Sequence, residues 1–140
     1  MTDSNAGKIG WTDLTVPNAD RIRDFYSEVA GWEAKPVDMG DYADYCMHRP
    51  EEESPVAGIC HARGINADLP AQWMIYITVA DLKAALDKVA ANGGEVLQQR
   101  LANSGDNFNE DNSAVDGPYG QGSLAIIRDP SGAVAALYQG

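Results

Sequence analysis

Asp13 has the widest chemical reach of any residue in this sequence. It stands in Gly10-Trp11-Thr12-Asp13-Leu14-Thr15-Val16, a stretch otherwise without charge. Burying a carboxylate there is costly unless it is paired, hydrogen-bonded or protonated. One reading makes it a general base or the anchor for a cationic ligand. The other makes it a strand residue, solvated or bonded to a backbone amide. Other candidate groups are few: two cysteines, Cys46 and Cys60, and two histidines, His48 and His61. Cys60 reads as a small apolar filler, because its one basic neighbour, His61, has the opposite strand parity. His48 reads as a strand-end residue. Neither cysteine sits in a Cys-x-x-Cys pair, so reduced thiols are expected. The glutamates of Arg49-Pro50-Glu51-Glu52-Glu53-Ser54 form a solvated turn. Residues 102–122, rich in Asn, Asp, Ser and Gly, lack the register of a calcium loop. They read as a lid or a disordered insertion.

The elements that must position these groups occur twice. Residues 11–31 and 74–94 share one layout at an offset of 63 residues, with Thr15-Val16 over Thr78-Val79, Asn18 over Asp81 and Gly31 over Gly94. Each copy reads as a strand, a helix cap, an amphipathic helix and a glycine stop. In the first strand Trp11, Asp13 and Thr15 share one face, and Thr12, Leu14 and Val16 the other. Asn18 caps a helix whose inward stripe is Ile22, Phe25, Tyr26 and Val29. Strands are expected near Trp32–Val37, Tyr42–His48 and Pro55–His61. Gly64–Ala71 reads as a linker. The second copy begins with Trp73–Val79, in which Met74, Tyr76 and Thr78 share a face. Asp81 caps a helix with Leu82, Ala85, Leu86 and Val89 inward. Strands follow near Glu95–Leu101, Ser123–Arg128 and Ala133–Gln139.

A chain of 140 residues is one domain by size, here 1–140, with modules at about 8–63 and 72–139. Its formal net charge of −11 argues against nucleic acid and anionic membrane as partners, since both would be repelled. It is compatible with a cationic ligand. The polar start, Met1–Lys8, lacks the apolar run of a secretory signal, and no stretch approaches a membrane span. A cytoplasmic location is the expectation.

Two tandem βαβββ units resemble the vicinal oxygen chelate superfamily, which includes glyoxalase I, bleomycin-resistance proteins and extradiol dioxygenases. The resemblance covers about residues 8–139. It rests on Leu14-Thr15-Val16-Pro17-Asn18, on Asp24-Phe25-Tyr26-Ser27 with Gly31-Trp32, and on Arg128-Asp129-Pro130-Ser131-Gly132-Ala133-Val134. It implies an α+β fold in which the two modules form a cupped mixed sheet or open barrel that holds a ligand. Members with a divalent ion draw His or Glu ligands from the first and last strand of each module. Counting along those motifs places the four positions at Trp11, Gly58, Met74 and Ala136. None carries a carboxylate or imidazole, and no shift by one residue supplies one. No metal and no other cofactor are therefore expected.

The resemblance places Trp11, Asp13, Met74 and Tyr76 on the cup side of the first strands. It places Gly58, Cys60, Ala136 and Tyr138 on the cup side of the last strands. These eight either line a pocket suited to a flat or apolar molecule, with Trp11 and Asp13 holding a cation, or fill the barrel as core. The function expected is small-molecule binding, as a homodimer. The alternatives are a metal-dependent lyase, isomerase or dioxygenase, and a drug-sequestering protein.

Overall fold

The computed structural model describes residues 5–63, 67–100 and 123–139. In order they form β1 (Ile9–Val16), α1 (Ala19–Ala30), β2 (Glu33–Asp38), β3 (Ala43–His48), β4 (Pro55–His61), β5 (Trp73–Thr78), α2 (Leu82–Ala91), β6 (Glu95–Arg100), β7 (Ser123–Arg128) and β8 (Val134–Gln139). The fold is mixed α+β, with each helix following the first strand of its βαβββ repeat. The segment 102–122 and the start of the linker lie outside the described residues. The chain divides into two compact units, with the boundaries at Trp11/Thr12 and Trp73/Met74.

The unit built on residues 12–63 and 67–73 has the strand order β2-β3-β4-β1. β2, β3 and β4 are antiparallel neighbours, while β1 lies parallel to β4. A parallel return requires a crossover connection. Leu14, Val16, Ala19, Tyr45, Met47 and Ile59 form the core under α1, joined by Ile22, Tyr26, Trp32 and Trp73. Alternation along β1, β3 and β4 thus sends one side chain in two to the helix.

Helix α1 departs from the expected stripe. Phe25 is 53% exposed and Val29 66% exposed, whereas Ala19 is fully buried. The inward face is Ala19, Ile22, Arg23 and Tyr26, the i, i+3, i+4, i+7 set one step round the helix. The anchors explain the rotation. Tyr26 accepts from the Trp73 indole N–H at 3.1 Å and sits between Trp32 and Trp73. Arg23 donates to the Tyr45 hydroxyl at 2.9 Å. Asn18 occupies the N-cap but its side chain makes no capping bond. Gly31 ends the helix at φ +76°, its N–H bonded to Ser27 O at 3.1 Å.

The other unit, residues 5–11, 74–100 and 123–139, has the order β5-β8-β7-β6, with β5 parallel to β8. Leu82, Ala125 and Leu137 form its core, with Ile77, Val79, Ala85, Leu86, Val89 and Ile127 packed on them. Asp81 caps α2 as expected, accepting from Ala84 N at 3.1 Å. Gln139 adds a second cap, taking Leu82 N at 2.6 Å. The Asp129–Gly132 turn closes on its own carboxylate: Asp129 Oδ1 accepts from the backbone N–H of Ser131 at 2.8 Å and of Ala133 at 3.1 Å.

Candidate ligand-binding site

The strand face away from α1 collects the polar groups of the first unit. Asp13 on β1 lies opposite Gly58 on β4, and Gly58 lies opposite Cys46 on β3. Thr15 lies opposite Cys60 in the next row. Tyr45 faces Ile59, so Asp44 falls beside Cys60 in that same row. Asp13 is only 7% exposed, so the carboxylate is buried rather than solvated. Glycine at 58 leaves the middle of its row without a side chain.

Asp44 is the residue that sequence reasoning missed. Its side chain is 13% exposed and accepts from His61 N at 2.8 Å, with the His61 Nδ1 3.3 Å away. It also accepts from the Cys60 thiol. Burial raises its carboxyl above the usual value, and the hydrogen bonds from His61 and Cys60 only partly offset this. Cys60 is pushed well up by burial, then by the fields of Asp13 and Asp44. Its thiol stays protonated at neutral pH and acts as a donor rather than a nucleophile. The sequence does hold a signal for Asp44: it is one of the polar residues alternating with Ala43, Tyr45 and Met47 along β3.

His61 has the parity opposite to Cys60, as expected, and reaches towards α1. Its Nε2 lies 3.7 Å from Asp20 Oδ1. Asp20 in turn accepts from Tyr45 Oη at 2.5 Å. Tyr42 meets the imidazole edge-on, with ring centroids 5.3 Å apart. His48 is the last residue of β3, as expected, and is buried there at 4% exposure.

The second unit repeats the arrangement with different chemistry. Tyr76 on β5 lies opposite Ala136 on β8, and Thr78 opposite Tyr138. Met74, Tyr76 and Ala136 are buried on the face away from α2, while Trp11 and Tyr138 are half-buried. The register pairs Asp13, not Trp11, with Gly58, and Tyr76, not Met74, with Ala136. Trp11, Cys60 and Tyr138 are partly exposed, whereas Asp13, Gly58, Met74, Tyr76 and Ala136 are buried, each within its own unit.

These residues do not fit a divalent ion of the expected type. Trp11, Gly58, Met74 and Ala136 together offer one thioether and no oxygen or imidazole donor. Among the described residues, no group of three His, Cys, Asp or Glu side chains has metal-holding geometry.

Residues 8–137 match the profile of the glyoxalase/bleomycin resistance protein/dioxygenase superfamily. The chain belongs to that superfamily. CFP32 of Mycobacterium tuberculosis, named as a glyoxylase candidate, is similar to this chain, 29% identical over 95% of this chain and 46% of its own length. DnrV of Streptomyces peucetius, an anthracycline biosynthesis protein, is 25% identical over 99% of this chain and 49% of its own. The chain spans about half the length of the curated relatives it matches. The superfamily fold is found in the methylmalonyl-CoA epimerase of M. tuberculosis, with a TM-score of 0.53, 13% identity and coverage of 99% of this chain and 92% of that one. It is found too in a superfamily member from Vibrio splendidus, with a TM-score of 0.54, 11% identity and coverage of 93% and 97%. Among the described residues no helix is long and apolar enough to cross a membrane.

Proposed function

We propose that this chain binds a small organic molecule without a resident divalent ion, in the cup that its duplicated layout implies. The single observation that carries the reading is the face holding Asp13, Asp44 and Cys60. Two nearly buried carboxylates share that face with a protonated thiol, beside Gly58. Such a face favours a ligand with a cationic or hydrogen-bond-donating group. The half-buried Trp11 and Tyr138 favour a flat aromatic body. An anthracycline bearing an amino sugar combines both features, and the similarity to DnrV supports that class. The ligand residues proposed are Trp11, Asp13, Gly58, Cys60, Met74, Tyr76, Ala136 and Tyr138. Modules 8–63 and 72–139 then act as one domain. The protein acts in the cytoplasm, with no nucleic acid as partner, and as a homodimer. Dimerisation would bring the number of modules up to what relatives twice this length can hold.

The test is thermal stabilisation of chelator-treated protein by three probes: an anthracycline, methylmalonyl-CoA and the glutathione hemithioacetal of methylglyoxal. The anthracycline raises the Tm with or without added Zn, Ni, Mn or Fe(II). Stabilisation that appears only with a metal present overturns the metal-free reading. No shift with any of the three overturns the ligand class.

A further inference from the structure

His61 joins the polar strand face to the surface of α1. Its side chain is 14% exposed and lies between two carboxylates, with Nδ1 3.3 Å from Asp44 and Nε2 3.7 Å from Asp20. Asp20 is mostly exposed and also takes the Tyr45 hydroxyl, which Arg23 supports from the same helix. On the loop before β3, Tyr42 packs edge-on against the imidazole. Arg63, just past β4, lies 4.0 Å over the Tyr42 ring and 3.6 Å from Asp41. Asp44 passes the contact to Cys60, whose thiol also feels Asp13. The charged and titratable groups around His61 are thus Asp20 and Arg23 from α1, Tyr42, Asp44 and Tyr45 from β3 and its approach, Cys60 from β4, and Asp41 and Arg63 at the rim.

We infer that His61 sets the net charge of the strand face that carries Asp44, Cys60 and Asp13. The neutral imidazole leaves that face its full negative charge. The imidazolium, held by Asp44 on one side and Asp20 on the other, offsets one carboxylate. The imidazole is the side chain whose ordinary titration lies nearest to physiological pH. The face therefore attracts a cationic group more strongly with His61 neutral than with it charged. Using this to control ligand capture rests on the small-molecule reading above. The change of charge itself does not.

Cys60 is a built-in probe of that charge. In a Cys46→Ser background, its modification rate is measured with a trimethylammonium-ethyl methanethiosulfonate and with uncharged methyl methanethiosulfonate between about pH 5.5 and pH 8, a range that brackets an ordinary imidazole titration. The ratio of the two rates cancels the thiolate fraction and reports local potential alone. The ratio is expected to rise with pH on the order of fivefold, the size of one unit charge at a partly hydrated site. It rises less in high salt. His61→Gln gives a shallower slope that meets the parent at the high-pH end, with His48 still present, and Asp44→Asn lowers the ratio at every pH. A flat ratio in the parent, or an unchanged slope in His61→Gln, overturns the inference. If Cys60 resists both reagents, carbon-13 NMR of the Asp44 carboxyl decides. An inflection shared with the His61 ring nitrogens supports the coupling, and a carboxyl signal that passes unchanged through the His61 titration overturns it. No ligand is present in either measurement, so failure here and failure of the small-molecule reading are separate results.

Discussion

Replacing Asp44 separates the two things its carboxylate does. It accepts hydrogen bonds from His61 N at 2.8 Å and from the Cys60 thiol, and it holds a charge in a place where burial disfavours one. Asp44→Ala removes the acceptor and leaves a largely covered amide and thiol without it. An unsatisfied buried group costs about 1–3 kcal/mol, so a loss of about 2 kcal/mol is expected. Asp44→Asn keeps an oxygen for the His61 amide and removes the charge, so its cost stays under about 1 kcal/mol at neutral pH. The pH dependence follows from the raised carboxyl. In the folded protein Asp44 holds its proton more tightly than in the unfolded chain. Its contribution is then fully present below the unfolded value and is lost as pH rises through the folded value. Asp44→Asn therefore gains stability relative to the parent as pH rises from the acid range through that window. Urea unfolding at several pH values, with equal m-values, measures all three proteins. Equal losses for Asn and Ala, or an Asn difference that does not change with pH, would refute the reasoning.

Four further outcomes are expected. Gly94→Ala brings a Cβ to 2.9 Å from both Arg128 O and Val89 Cγ1, so backbone must shift and stability falls by about 1–3 kcal/mol in urea unfolding. His48 Nδ1 is buried with no hydrogen-bond partner among the described residues, so His48→Phe changes stability by less than about 1 kcal/mol. Met47→Ala, one residue away and fully buried, costs about 2–5 kcal/mol in the same assay. Phe25→Asn and Val29→Asn lie outside the packed face of α1, so each shifts the midpoint by the equivalent of under about 0.5 kcal/mol, against about 2–5 kcal/mol for Ile22→Ala.

Much of the fold was legible because its signals are local. Alternation in Trp11–Val16 and in Trp73–Val79 assigned the two faces of each first strand, and Leu14, Val16, Ile77 and Val79 do face the helices. The repeat itself made the two modules visible without any structure. Helix α1 misled because four apolar residues, Ile22, Phe25, Tyr26 and Val29, satisfy a helical period. The choice between that stripe and its neighbour was made by polar anchors distant in sequence, Tyr45 for Arg23 and Trp73 for Tyr26. Asp44 was illegible as a site residue for a similar reason. Its role depends on the pairing of β3 with β4, which brings residue 44 beside Cys60 and His61. Asp13 stood out as a lone carboxylate, but its burial is set by the neighbours that pairing supplies.

Calorimetric titration of chelator-treated protein with an amine-bearing anthracycline, for the parent chain and for Asp13→Asn, tests the central claim most directly. The account predicts saturable binding by the metal-free parent and affinity weaker by about tenfold or more in the variant, the loss of one charge-assisted contact. Binding that requires an added divalent ion, or equal affinity in the two proteins, would contradict it.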